Sequence, residues 1–366
     1  MIDAADRALA AAFLDAFREA GAVAVETPIL QPAGTLLDLY GEDIRARAFV
    51  TQDPLWGEAM LRPDFTVPVV EAHMAGGASP ARYCYAGEVF RRQEDDPSRP
   101  REYLQAGFEL LGGEDPAAAD AEVFDRLAGA LAPWGAEPAT GDLGLLIAAV
   151  EGLRTSSRRR AALRRHIWRP ARFRRLMERF GGHAPASPAR RSLIDRLHET
   201  PARAVVAAVG PAVGLREPEE VAERLLALRD DAAEPPLARE EAAAIERLLA
   251  LDLPMGDALA PLRELARTLP ALGAATDRAE RRAEALLRRG HDPAALPFAP
   301  ARFRTAMEYY DGFVFTLSAP GRADLPPLAT GGRYDALTAV LGGGRGVPAV
   351  GGVVRPGLLR GLERAA

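Results

Sequence analysis

The sequence predicts an α+β fold, an antiparallel β-sheet flanked by helices and interrupted by an all-helical insertion. Residues 81–111 carry aromatic and β-branched side chains on both sides of a polar, proline-containing segment, Glu94 to Pro100, as two antiparallel strands joined by a long loop do. From Leu153 to about Gly290 apolar residues recur at helical spacing. Strand patterns then resume at Leu296–Pro300 and Tyr309–Leu317, ahead of two glycine-rich stretches. Residues 1–153 and 291–366 are therefore expected to build one α+β domain, with 154–290 as a helical insertion.

Leu9, Phe13 and Phe17 recur every fourth residue and Gly21 follows where a helix commonly ends, so the chain opens with an amphipathic helix. A short strand, Val23 to Thr27, follows and stops at Pro28. Asp120 to Leu131 reads as a helix after the paired strands. In the insertion, Pro218 suits the first turn of a helix whose face carries Val221, Leu225 and Leu228, and Leu262, Leu265 and Leu269 repeat that spacing. Gly342-Gly-Gly-Arg-Gly346 lacks the Lys-Ser/Thr of a phosphate loop and is expected to turn the chain into its last strand.

At 366 residues with 48% hydrophobic and 27% charged side chains, the composition is that of an ordinary globular protein of about two domains. A net charge of −5 excludes a general attraction to polyanions, so any nucleic-acid contact needs a local patch. All 46 basic residues are arginine, which points to a GC-rich genome rather than to an activity. The first residues lack the basic-then-apolar order of a signal peptide, and no apolar run approaches the ~18 residues of a membrane span, so a cytoplasmic location is expected. The single cysteine, Cys84, sits between Tyr83 and Tyr85 as strand core would. The five histidines (73, 166, 183, 198 and 291) show no metal-ligand spacing, and neither a metal nor a cofactor is expected.

The chemistry is concentrated in Arg82-Tyr-Cys-Tyr-Ala-Gly-Glu-Val-Phe-Arg91 and Arg101-Glu-Tyr-Leu-Gln105-Ala-Gly-Phe-Glu109. Paired strands would bring Arg91, Gln105 and Glu109 to one sheet face, because side chains alternate with period two. An arginine, an amide and a carboxylate converging there can meet a carboxylate or phosphate, an ammonium and a ring N–H. A solvated sheet face with scattered ion pairs is the plainer reading of the same pattern.

This segment resembles motif 2 of class II aminoacyl-tRNA synthetases in its histidyl version. Leu61-Arg-Pro-Asp-Phe-Thr66, Glu308-Tyr-Tyr-Asp-Gly-Phe-Val-Phe315 and Gly331-Gly-Arg-Tyr-Asp335 resemble three further elements of that family, in the family's order. Gly21-Ala-Val-Ala-Val-Glu-Thr-Pro28 resembles motif 1, and Gly351-Gly-Val-Val-Arg355 a degraded motif 3. The resemblance spans roughly residues 5–150 and 295–362. It implies a class II sheet and a histidine pocket. Asp64, Thr66 and Gln105 would hold the ammonium, Glu109 and Tyr310 the imidazole, and Arg91 the carboxylate, with Tyr309, Gly331 and Gly332 lining the cavity. Asp64 replaces the family's glutamate with a side chain one methylene shorter. Tyr309 and Tyr310 would point to opposite faces of a strand, so one of them is expected in the core.

Three departures bear on activity. Thr305 stands where the synthetases place an arginine against the α-phosphate, with Arg304 one residue away on the other face of a strand. Gln93 and Val354 replace two glutamates, although Arg99, Arg101 and Arg355 could still meet phosphates. The sequence ends eleven residues after Arg355, whereas the synthetases continue into an anticodon-binding domain, so none is expected here. Between Arg154 and Arg179 stand eleven arginines and one acid, Glu178, interleaved with Leu163, Ile167, Leu176 and Phe180. That stretch reads as a solvated helix face, as a dock for an acidic partner or phosphorylated ligand, or as a nucleic-acid contact.

The pattern of loss is similar to that of the regulatory subunits of short-form ATP phosphoribosyltransferase, the first enzyme of histidine biosynthesis. Membership implies a non-catalytic subunit that activates a separate catalytic subunit, senses histidine as feedback inhibitor, and forms homodimers within a larger hetero-oligomer, a hetero-octamer, with no membrane or nucleic-acid partner. A tRNA-independent amino-acid-activating ligase and a nucleic-acid-binding scaffold are the other readings. From Thr305 and Val354, the isolated chain is expected not to exchange pyrophosphate with ATP in the presence of histidine. An exchange rate of about 1 per second or faster, ordinary for an enzyme, would restore the ligase reading.

Overall fold

The computed structural model describes residues 2–93, 99–210, 216–301 and 309–365. Its chain divides into two compact units, residues 1–148 with 247–366, and residues 149–246.

The first unit begins with α1 (Ala4–Glu19), capped by reciprocal bonds between Asp3 and Asp6 and burying Ala10, Phe13 and Phe17. Strand β1 (Val23–Ala24) leads to a small sheet of β2 (Leu30–Pro32), β3 (Val50–Asp53) and β4 (Gly57–Leu61), with α2 (Ala33–Tyr40) between β2 and β3. Next come α3 (Thr66–Met74), the long pair β5 (Ala81–Phe90) and β6 (Glu102–Leu111), α4 (Pro116–Leu131), β7 (Glu137–Asp142) and α5 (Leu143–Glu151). The second unit holds α6 (Ser157–Arg165), α7 (Pro170–Phe180), α8 (Pro188–Glu199), α9 (Ala202–Ala207) and α10 (Pro218–Ala233), and its boundaries fall within α5 and α11 (Arg239–Leu249). The first unit then resumes with β8 (Leu253–Pro254), α12 (Met255–Thr268), α13 (Leu272–Arg288), β9 (Pro297–Phe298), β10 (Phe313–Ser318), β11 (Ala329–Arg333), α14 (Asp335–Leu341), β12 (Ala349–Val354) and α15 (Pro356–Ala365).

Among the described residues the main sheet has nine strands in the order β1-β5-β6-β12-β11-β10-β7-β9-β8. Its centre is antiparallel, as expected, while β1 on β5 and β7 on β9 pair in parallel, so the sheet is mixed. The last strand, β12, seats between β6 and β11, which stitches the two ends of the sequence into one sheet. One face of that sheet is apolar: Phe108 packs on Phe17 with ring centroids 5.7 Å apart, and Phe315 meets Phe124 edge-on at 5.3 Å. Cys84 is fully buried in β5, and burial pushes its thiol up to about 11, so it is inert strand core.

Several boundaries differ from the sequence expectation. The strand expected from Tyr309 begins only at Phe313, because Asp311 turns to accept from the N–H groups of Asp335 and Ala336 at the start of α14. Tyr309 and Tyr310 therefore sit in a loop and need not face opposite ways. The strands expected at Val23–Thr27 and Leu296–Pro300 shrink to two residues each. The helical unit is 149–246 rather than 154–290, because α13 turns its buried stripe of Leu272, Ala275, Ala279, Ala283 and Leu286 toward α4 in the sheet unit. Arg304, Thr305 and Glu308, and the loop residues 94–98, lie outside the described residues. No described helix is long and apolar enough to cross a membrane.

A buried ion network backs the sheet. Arg282 of α13 donates to Asp120 of α4 at 2.9 Å and to Asp142 of β7 at 2.8 Å, with its guanidinium 4.5 Å from the Phe313 ring centre. Arg333 of β11 donates to the other oxygen of Asp120 at 2.9 Å and to Asp335 at 2.8 Å. The Arg282→Ala variant would leave Asp142 without its buried counter-charge and is expected to lose about 3–5 kcal/mol of stability. Urea unfolding measures it; a loss under about 1 kcal/mol, the range of a surface pair, would show the network to be incidental.

A polar cavity on the sheet as the candidate functional site

The face of the sheet opposite the aromatic core bears a cavity of about 610 Å³, within the range of small-molecule sites. Its position follows from alternation. Gln105 and Glu109 fall on the same side of β6, opposite Gly87 and Tyr83 of β5, while Ala106, Phe108 and Leu110 fill the core behind.

Between β4 and α3 the run Arg62-Pro-Asp-Phe65 is held by Arg62, which donates to the carbonyls of Glu88 and Thr27 and lies 4.0 Å from the Phe65 ring centre. Phe65 stacks in turn on Tyr85, 4.3 Å away and nearly parallel at 9°. A Cβ on Gly107 would stand 2.3 Å from the Tyr85 ring, so only glycine lets the tyrosine lie across β6. This packing fixes Asp64 and Thr66 on the cavity wall, both buried.

Of the residues the sequence singled out, Asp64, Thr66, Arg91, Gln105, Tyr309 and Tyr310 all line the cavity, with Gly331. Gln105 is 1% exposed, and among the described residues neither its amide nitrogen nor its oxygen finds a hydrogen-bond partner. Asp64 is 3% exposed; its Oδ1 accepts from the Val67 N–H at 3.3 Å, while Oδ2 has no partner among the described residues. Burial pushes the Asp64 carboxyl up, and the nearby Arg91 charge opposes that rise. Arg91 is oriented by a 2.8 Å bond from Nε to the Pro63 carbonyl. Tyr309 donates to Thr66 at 3.3 Å and meets Tyr310 edge-on at 4.8 Å.

Glu109 is placed differently from the expectation. It lies behind the wall rather than on it, enclosed by three hydroxyls: Thr66 at 3.0 Å and Tyr85 at 2.8 Å donate to Oε1, and Tyr334 at 2.5 Å donates to Oε2. Gly351 faces it across β12, and any Cβ there would overlap the carboxylate. Burial raises its pKa to about 7, against the pull of the three hydroxyl donors. Tyr85 and Tyr334 were not singled out as site residues, although Tyr85 shares the strand parity of Arg91 and Tyr334 belongs to the Gly-Gly-Arg-Tyr-Asp run.

The candidate anion residues divide as well. Arg99 and Gln93 line the cavity mouth, whereas Arg101 is exposed and off the wall. Arg355 reaches the cavity but already donates to the Pro327 carbonyl at 2.6 Å and to Thr330 at 3.2 Å, and burial lowers its pKa. Val354 is fully buried and lies off the cavity wall.

Residues 3–234 and 202–357 match the family model described as histidyl-tRNA synthetase. The chain is 33% identical over 345 residues to an ATP phosphoribosyltransferase regulatory subunit from Brucella anthropi, covering 89% of each chain. A regulatory subunit from Allorhizobium ampelinum is 34% identical over 377 residues, covering 93% of this chain and 94% of that protein. The fold is similar to an ATP phosphoribosyltransferase regulatory subunit/histidyl-tRNA synthetase from Bacillus halodurans, with a TM-score of 0.67 at 22% identity over 98% of this chain and 80% of that one. It is also similar to histidyl-tRNA synthetase from Nostoc, with a TM-score of 0.63 at 18% identity over 99% of this chain and 73% of that one. Matches over nearly the whole length, on a sheet that carries the family's motifs around one cavity, place the chain in the histidyl-tRNA synthetase family, among the ATP phosphoribosyltransferase regulatory subunits.

Proposed function

We propose that the chain is the regulatory subunit of a short-form ATP phosphoribosyltransferase, non-catalytic itself, and that its cavity binds histidine as the feedback effector of histidine biosynthesis. The family membership supports the regulatory role. The observation that carries the ligand is the group of buried polar atoms at the cavity that have no partner among the described residues, Asp64 Oδ2 and both amide atoms of Gln105. Leaving such a group unsatisfied costs roughly 1–3 kcal/mol, and an amino acid removes that cost. Its ammonium offers donors to Asp64 and Gln105, its carboxylate suits Arg91, and a polar ring suits the hydroxyl wall of Thr66, Tyr309 and Tyr310. Glu109 acts through that wall by accepting from Thr66. For assembly we propose a homodimer that joins catalytic subunits in a hetero-oligomer. Support comes from exposed apolar side chains in and just after the segment that resembles motif 1, Val23 and Ile29, and from Val50 and Trp56 in the small sheet that follows it.

The Asp64→Asn variant is expected to weaken histidine binding by roughly 10–150-fold, the worth of a charged hydrogen bond. Activation of the catalytic subunit should persist, because the substitution is confined to the cavity. Calorimetry on the isolated chain and inhibition curves on the reconstituted complex test both halves. An unshifted inhibition curve would place the inhibitor elsewhere.

Glu109 also makes stability depend on pH. Its carboxyl, ordinarily near 4.5, is raised to about 7, so the folded chain holds a proton that the unfolded chain has released. This group's contribution is therefore fullest below about pH 4.5 and declines as pH rises to about 7, by about 3 kcal/mol in all. Glu109→Gln cannot ionise, and its urea midpoint should fall less than that of the unaltered chain between pH 5 and 8. Equal declines in the two proteins would show that Glu109 ionises normally.

A further inference from the structure

The arginine-rich stretch is not one uniform face. Within the helical unit, Arg154 pairs with Glu241, Arg164 pairs with Glu151, and Arg160 donates to the carbonyls of Leu153 and Thr155. Arg159, Arg172, Arg175 and Arg179, with Arg190 of α8, instead line a second cavity, of about 820 Å³, walled by α7, the start of α8 and the end of α10.

Arg159 is the base of that cavity. It is 5% exposed, and its donors go to the Asp231 carboxylate at 2.8 Å and to the carbonyls of Asp231 and Pro235 at 2.7 and 2.8 Å. Asp231 also receives Arg190 at 3.0 Å and Arg179 at 3.7 Å, so one carboxylate organises three guanidiniums. Phe180 lies beneath two of them, 4.9 Å from Arg159 and 4.6 Å from Arg179. Arg172 and Arg175 stand on the same wall, seven and four residues ahead of Arg179 on one stripe of α7, where like charges repel. Among the described residues no carboxylate pairs with Arg172 or Arg175. Five arginines thus line the cavity against the carboxylates of Glu178, Asp231 and Glu234, and Glu234 is already bound by Thr155 and Ser156.

We propose that this cavity binds a small, multiply phosphorylated ligand of nucleotide size. A solvated face would spread its cations toward water. Here they converge on a concavity whose base is fixed by ion pairs before any ligand arrives, and guanidinium forks match phosphate oxygens in pairs. The volume lies in the range of small-molecule sites, and residues of three helices contribute to its wall. Leu176, Ile194 and Pro236 offer an apolar wall to the organic part of such a ligand. The inference stands apart from the histidine reading, since it rests on residues of the helical unit alone.

The test uses the full chain and calorimetry with tripolyphosphate, then ATP, at fixed salt. The double variant R172A/R175A, with both positions exposed, is expected to weaken binding by about a hundredfold, roughly tenfold for each lost charged hydrogen bond. Arg99→Ala, at the mouth of the other cavity, should leave this binding unchanged. Tighter binding of ATP than of tripolyphosphate would identify a nucleotide, and the reverse an inorganic polyphosphate; both support the site. Unchanged binding in R172A/R175A, or loss only in Arg99→Ala, would overturn it. So would binding of an RNA oligonucleotide that tripolyphosphate cannot displace.

Discussion

Asp120 is the point on which the sheet unit depends. Its two oxygens each take an arginine, Arg282 from α13 and Arg333 from β11, and through them reach Asp142 on β7 and Asp335 on α14. Elements far apart in sequence are thereby locked in register behind the sheet, where the low dielectric makes a missing partner expensive. The polar cavity on the other face can leave amide and carboxylate atoms unsatisfied because the carboxylates behind the sheet, Asp120 and Asp142, are held by arginines. A binding surface with strained polar groups requires a scaffold that does not yield to them.

The two cavities solve the anchoring of charge in different ways. In the sheet unit a buried carboxylate, Glu109, is surrounded by neutral hydroxyls, which leave it poised near neutrality. In the helical unit a carboxylate, Asp231, is surrounded by guanidiniums and serves to position them. The first arrangement favours a ligand with few charges and several polar groups, and the second favours a dense anion.

Much of this was legible in the sequence. The pair β5 and β6, the helix carrying Phe13 and Phe17, and the common face of Gln105 and Glu109 all follow from periodicity. Parity gives a side chain's face but not its depth, and for that reason Glu109 was expected on the wall and lies behind it. The enclosing Tyr85 and Tyr334 had the right parity and the right motif, yet only the three-dimensional approach of β5, β6 and α14 shows where their hydroxyls meet. Helical spacing likewise predicted α12, within a helical stretch running to about Gly290, but not which element covers it, since an amphipathic stripe does not specify its partner surface. The Tyr309–Tyr310 run looked like strand because its residue types favour strands, and the cap that Asp311 supplies to α14 overrode that preference.

The placement of β12 also governs when the protein can become itself. This strand, Ala349–Val354, fills the gap between β6 and β11, and its Gly351 covers Glu109. On a ribosome, residues 102–111 emerge long before their central neighbour exists, so β6 waits with one edge unpaired and its carboxylate uncovered. Such an edge invites pairing with other nascent chains. Closing the sheet across some 240 intervening residues makes its contacts highly non-local, which slows folding. A growing chain therefore carries the hairpin that bears Gln105 and Glu109 through that whole interval, and gains a cavity able to hold a ligand only once β12 has been made.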